Sequence, residues 1–171
     1  MAVQTGRTTD RYVYVIVGES GDANLREINC TGIGDVGLAF EVKDVTAWQD
    51  AVKNALSGQP DAPIKITGRF DNSAAVAAPA SASAHALSGS HTVLSAINGD
   101  NVPHTLQIRF GVRHNWETGE PVFGLQRATA TNSGYLCTKY NCVNGSDYSA
   151  EFVVSGPVAP AWGTAALTVG S

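Results

Sequence analysis

Val36-Gly37-Leu38-Ala39-Phe40-Glu41-Val42-Lys43 puts Val36, Leu38, Phe40 and Val42 on one side and Gly37, Ala39, Glu41 and Lys43 on the other, the period of two expected of a half-buried strand. The same alternation recurs downstream. Ile64, Ile66, Gly68 and Phe70 interleave with Lys65, Thr67 and Arg69, and a glycine at an inward position implies a bulge or a close backbone approach. Upstream, 11–17 is a β-branched and aromatic run broken by the glycine and acidic group 18–22, and a second short strand is expected over 25–30. Further on, Leu106, Ile108 and Phe110 alternate with Thr105, Gln107 and Arg109; a polar turn over 111–119 leads to a return arm at 121–131. Two more strands follow at 134–140 and 147–154, the second with Tyr148, Ala150, Phe152 and Val154 in register, and Asn144-Gly145 is a favourable tight-turn pair between them. The fold class is therefore mainly β. One short helix is expected over about 47–56, where Thr46 precedes Gln49 by three as in a capping box and Trp48, Ala51, Val52, Ala55 and Leu56 recur at helical spacing. Ser57-Gly58 would end it, Pro60 and Pro63 would keep it from resuming, and its Trp48 stripe would pack on a sheet, because a helix of that length is marginal alone.

The chain has 171 residues, of which 43% are hydrophobic and 15% charged. That is enough apolar content for one packed domain and excludes disorder throughout. Fifteen acidic against 11 basic residues give a net charge of −4, which offers no general attraction to a phosphate backbone or an anionic bilayer. No apolar run approaches the roughly 20 residues needed to cross a bilayer, and the polar start lacks a signal-peptide core, so no membrane partner and folding in a cytoplasm are expected. The stretch 73–99 contains no Asp, Glu, Lys or Arg. It reads as an excursion from a single domain spanning 1–171, of which 91–97 could rejoin the core as a short helix or strand. An N-terminal arm (1–10) and an extended C-terminal arm (157–171, with Pro157, Pro160 and Trp162) flank the domain.

Side chains that could carry chemistry do not form a recognisable constellation. His85 and His91 lie in the uncharged excursion, and His104 and His114 bracket a strand with no cysteine or carboxylate at ligand spacing. They are expected to be surface polar residues, with no metal and no cofactor. Gly18-Glu19-Ser20-Gly21 and Ser88-Gly89-Ser90-His91 miss the nucleophile-elbow spacing, and Gly32-Ile33-Gly34 lacks the helix and lysine of a phosphate cradle. Glu117 and Glu120 read as solvated turn residues. Cys30, Cys137 and Cys142 form an odd set expected to stay reduced, with a Cys137–Cys142 bridge conceivable only after exposure to an oxidising medium. No catalytic residue is assigned, and the chain is not expected to be an enzyme. Trp116 in a turn and Trp162 in the tail are large apolar groups where a monomer would leave them in water, and both are candidate subunit-interface anchors.

One order of features is informative as a whole. An alternating strand leads to Asp44-Val45-Thr46 and a short helix carrying Trp48; then Ser57-Gly58-Gln59-Pro60-Asp61-Ala62-Pro63 leads into Ile64-Lys65-Ile66-Thr67-Gly68-Arg69-Phe70-Asp71, with strands near Gly134-Tyr135 and from Asp147 to Gly156 closing the chain. Over roughly 25–156 this resembles the tail tube (major tail) proteins of long-tailed bacteriophages. The resemblance implies a β-sandwich or barrel with one flanking helix. It implies self-assembly into rings, usually of six subunits, stacked into a tube in the virion tail beside other phage tail proteins. DNA would pass through without specific binding, which suits an acidic protein. Two alternatives stay open: a capsid decoration protein of related fold, and a carbohydrate-binding adhesion module that would use Trp116.

Overall fold

The computed structural model describes residues 13–19, 24–48, 52–53, 55–74, 86–111, 120–125 and 132–163. Its strands are β1 (Val13–Glu19), β2 (Asn24–Ile28), β3 (Gly32–Ile33), β4 (Ala39–Asp44), β5 (Ala55–Asp61), β6 (Ile64–Arg69), β7 (Ala86–Ser88), β8 (Leu106–Phe110), β9 (Val122–Leu125), β10 (Gly134–Val143), β11 (Asp147–Ser155) and β12 (Ala161–Gly163); helix α1 (Ser90–Ile97) lies between β7 and β8. A six-stranded sheet has the order β12-β9-β8-β1-β2-β7, a four-stranded sheet the order β10-β11-β6-β3, and β4-β5 form a two-stranded ribbon. All pairings are antiparallel except that of β2 with β7.

The two larger sheets share one core. Val15, Val17, Ile28, Leu106, Ile108, Phe123 and Leu125 from the first meet Ile64, Ile66, Tyr135, Tyr148, Ala150 and Phe152 from the second. The architecture is a mainly β packing of two sheets, and they do not close into a barrel. Two isolated bridges tie β10 to the chain ahead of β8, His104 to Tyr135 and Asn98 to Cys137. The strand patterns read from 64–70 and 147–154 have the expected inward rows. Gly68 does mark a close approach: it sits opposite Tyr148, and a Cβ there would stand 2.6 Å from both Asn29 O and Tyr148 Cε1. Tyr148 is locked in place by donating its hydroxyl to Asn29 O at 2.5 Å, and burial pushes its phenol pKa up. Asn144 and Gly145, at φ 52° and 72°, supply the left-handed pair that the β10–β11 turn needs.

Among the described residues of 47–56 there is no helix. Ala55 and Leu56 belong to β5, whose register on β4 runs from Asp44↔Ala55 to Ala39↔Asp61 with an irregularity between Phe40 and Val42, while 49–51 and 54 lie outside the described residues. At the proposed cap, Thr46 donates its backbone N–H and its hydroxyl to Asp44 Oδ1, at 2.9 and 2.5 Å. An aspartate that closes a turn on its own backbone competes with helix initiation, and this turn wins over the capping box. The hydrogen bonds from Thr46 hold the Asp44 carboxyl below its usual pKa. Trp48, expected in the core, is fully exposed.

The helix found among the described residues arises instead inside the uncharged excursion. Ser90, Val93, Leu94 and Ile97 of α1 are buried, and the helix packs on β10, β1 and β2. His91 is half-buried, with Nδ1 3.0 Å from the Tyr140 hydroxyl. Residues 75–85 lie outside the described set, as does the N-terminal arm (1–10). Of the stretch 157–171, Ala161–Gly163 pairs with β9 as an edge strand and 164–171 is outside the described residues.

In the middle of the six-stranded sheet, side chains on both faces of β1, β8 and β9 are buried. On the face away from the main core, Ile16, Leu25 and Val122 form a second small apolar cluster, and Arg109 is fully buried beside Glu120, to which its guanidinium donates. Arg109 also lies over the Tyr14 ring, 5.4 Å from its centroid. Desolvation lowers the Arg109 pKa, and the hydrogen bond and charge of Glu120 oppose that shift. Glu120 is thus a buried ion-pair partner and not the solvated turn residue that its neighbourhood in sequence suggests; Glu117 lies outside the described residues. His104 is likewise no surface residue: it is 2% exposed, with Nε2 2.8 Å from Asp100 Oδ2.

Two stability measurements follow from this packing. Trp48→Ala should leave the stability of the dispersed subunit within about 0.5 kcal/mol, whereas Leu94→Ala should cost about 2–5 kcal/mol, roughly 5–15 °C in melting temperature for a chain of this size. The reverse order in thermal melts would restore the helix at 47–56. Glu120→Gln, which removes the carboxylate that the buried Arg109 guanidinium donates to, should cost about 3–5 kcal/mol in denaturant titrations, against less than about 1 kcal/mol for Lys65→Ala in the exposed Lys65–Glu151 pair.

Candidate assembly surface

Two exposed apolar features stand out, the β4-β5 ribbon and a cleft whose lining includes Val36, three residues before β4. The first is the β4-β5 ribbon. Every described side chain on its two strands is exposed, and among the described elements each strand packs mainly on the other. Phe40, Val42, Val45, Trp48, Val52 and Leu56 make up six of the ten large apolar side chains exposed among the described residues. Val45, Trp48 and Val52 form its tip, at 47%, 106% and 75% exposure. The row Val36, Leu38, Phe40 and Val42 read from the sequence divides: Val36 and Leu38 are half-buried against the main core, whereas Phe40 and Val42 are exposed, as are Ala39, Glu41 and Lys43 on the other side of the strand.

The second feature is a cleft of about 680 Å³ where the two large sheets diverge, lined by Val13, Cys30, Ile33, Val36, Phe110 and Trp162 together with backbone and polar groups of the β3 region. Its floor is the main core, on which Val13, Cys30, Ile33, Val36 and Phe110 all pack. Trp162, one of the two tryptophans singled out in the sequence, forms part of the wall. Strand β12 places its ring 5.1 Å from Phe123 and 5.5 Å from Phe110, centroid to centroid, and it remains 53% exposed. Trp116, the other candidate anchor and the proposed glycan platform, lies outside the described residues, so the two are not brought together here.

Cys30 points its thiol at the carbonyls of Gly32 and Thr67, at 3.1 and 3.3 Å, and burial raises its pKa above the usual thiol value. Cys137 is buried, its pKa pushed up to about 11 by desolvation, while Cys142 is exposed, and all three thiols are free. Among the described residues no group of three or more His, Cys, Asp or Glu could hold a metal ion. The residues that sequence reasoning missed are those of the ribbon tip. Their apolar spacing fits a helix as well as a hairpin tip, and the one local sign against the helix is Asp44 two residues ahead of Thr46, a turn-closing pair repeated at Asp71 and Ser73.

No protein-family model matches the chain, and no curated protein sequence matches it. Among solved structures, the fold is similar to that of a chain in the cryo-EM structure of the anti-feeding prophage cap, the tube-terminating cap of that particle, with a TM-score of 0.55, 11% identity and coverage of 96% of this chain and 95% of that one. It is also similar to a chain of the sheath–tube complex of the PVC extracellular contractile injection system in its extended state, with a TM-score of 0.53, 10% identity and 95% of each chain covered. At these identities the likeness is one of fold, and it spans nearly the whole of each chain.

Proposed function

We propose that this chain is a structural subunit of a phage-like tail, a protein that joins copies of itself into rings stacked as a tail tube, carries out no reaction and needs no cofactor. The observation that carries this reading is the β4-β5 ribbon. A two-stranded ribbon is at best marginally stable in water, and this one holds six large apolar side chains away from its own domain. Single exposed apolar side chains are ordinary on a monomer, but this many gathered on one element mark a surface that another molecule covers. The fold likeness to chains of a tube-terminating cap and of a sheath–tube complex supports the same reading, and the net charge of −4 suits a conduit that lets a polyanionic genome pass without retaining it.

The likeness to the cap favours a second reading, in which the chain closes the end of a tube and assembles into one ring instead of a stack. Negative-stain microscopy and sedimentation of the purified protein over a concentration series distinguish the two. Stacked rings or tubes of regular bore are the expected outcome, and isolated rings that never stack would assign the chain to a terminus. A Phe40→Ser, Leu56→Ser double variant should keep its fold by circular dichroism and remain monomeric. A wild-type protein that stays monomeric at every concentration would sink both readings.

A further inference from the structure

The ribbon tip and the cleft are a knob and a hole on one molecule, and the chain does not seat one in the other. Val36, in the cleft wall, stands three residues before Ala39, where β4 begins. Six residues of strand then carry the chain about 20 Å away before the tip is reached, given the rise of an extended strand. Trp48, Val45 and Val52 are exposed, so the tip does not occupy the cleft of its own chain. A knob that fits a hole elsewhere on the same molecule makes a head-to-tail contact, the kind that closes into rings or propagates as a helix.

We infer that the hairpin tip bearing Trp48, with Val45 and Val52, seats in the cleft formed by Trp162, Phe110, Val13, Ile33 and Val36 of the neighbouring copy. This inference rests on the self-assembly reading and names the contact that performs it. The occupant has the right character. An apolar tip meets an apolar wall whose floor is the neighbour's core, and the exposed Lys53 beside the tip is opposite in sign to the exposed Asp35 on the cleft rim. One tryptophan and two valines bury on the order of 400 Å² on the knob side, about half of the roughly 800 Å² per partner of a standard interface. The exposed Phe40, Val42 and Leu56 on the ribbon behind the tip supply further apolar surface to the same contact. Trp48 stacked near Trp162 and Phe110 would be the central anchor, the position where truncation costs most.

The cleft contains its own reporter, because Cys30 lines it. In a Cys142→Ser background, Ala47→Cys places a thiol next to Trp48 at the tip. Assembled protein is oxidised and run on a denaturing gel. The expected result is a ladder of disulfide-linked dimers, trimers and higher species that disappears when Cys30→Ser is added, since a bridge requires Cα atoms within about 7 Å. Ring or tube assemblies that give no ladder would overturn the contact while leaving the self-assembly reading in place. A cross-link confined to single chains would assign the cleft to the chain's own residues and overturn it as well. Failure of the wild-type protein to assemble at all would remove both. Should the cysteine at position 47 itself prevent assembly, Trp48→Ala and Trp48→Phe carry the test. The alanine variant should raise the concentration for half-assembly at least about tenfold, with phenylalanine between it and the wild type. An unchanged assembly concentration would overturn the inference.

Discussion

A single apolar layer between two sheets holds this protein together. From one side come Val15, Val17, Leu106, Ile108 and Phe123, and from the other Ile64, Ile66, Tyr148, Ala150 and Phe152, all buried. The sheets are held in relation by the His104–Tyr135 and Asn98–Cys137 bridges and by α1, which presents Val93, Leu94 and Ile97 to the same layer. That arrangement gives a physical account of part of the uncharged excursion. Half of the eight helical residues are buried, and an ionised side chain at one of those positions would have to be desolvated without a partner. The described part of that stretch is therefore core as well as connection.

Against this complete core the β4-β5 ribbon is incomplete. It emerges from the edge of the cleft, carries its apolar side chains into solvent and gains little from the rest of its own domain. A subunit built this way separates two tasks. The sheets fold the monomer, and the ribbon stays available for a surface that the monomer does not possess. The opposite treatment is given to Arg109, a charge held in the interior with Glu120 and the Tyr14 ring. Breaking such a pair costs far more than forming it contributes, so it favours one arrangement of β8 and the start of β9 over alternatives.

Much of the sandwich is legible in the amino-acid sequence. The inward rows of β6 and β11, the close approach at Gly68 and the Asn144-Gly145 turn all follow from side-chain period and backbone freedom, which are local properties. The candidate surface is legible only in part. Trp162 is identifiable as an apolar group in an unexpected place, yet nothing local reveals that β12 pairs with β9 and lays that ring against Phe123 and Phe110. Alternation with Ile108 and Phe110 puts Arg109 on the other face of its strand, which the sequence alone leaves facing outward. Such a pattern identifies two faces of a strand without saying that both are covered.

The region between Val36 and Asp61 shows where sequence stops and tertiary structure takes over. By itself the sequence determined that a strand would run through 39–43, though it placed the start at Val36 and a bend intervenes at Gly37, and that the chain would be acidic and mainly β. It did not determine what Trp48, Val52, Ala55 and Leu56 would do, because the same apolar residues satisfy a short helix and the far side of a hairpin about equally well. A short helix and a two-stranded ribbon are both marginal alone, so the choice fell to non-local pairing of 55–61 with 39–44 and to the Asp44 turn. Only the folded arrangement then decided that this ribbon would face water and not the core.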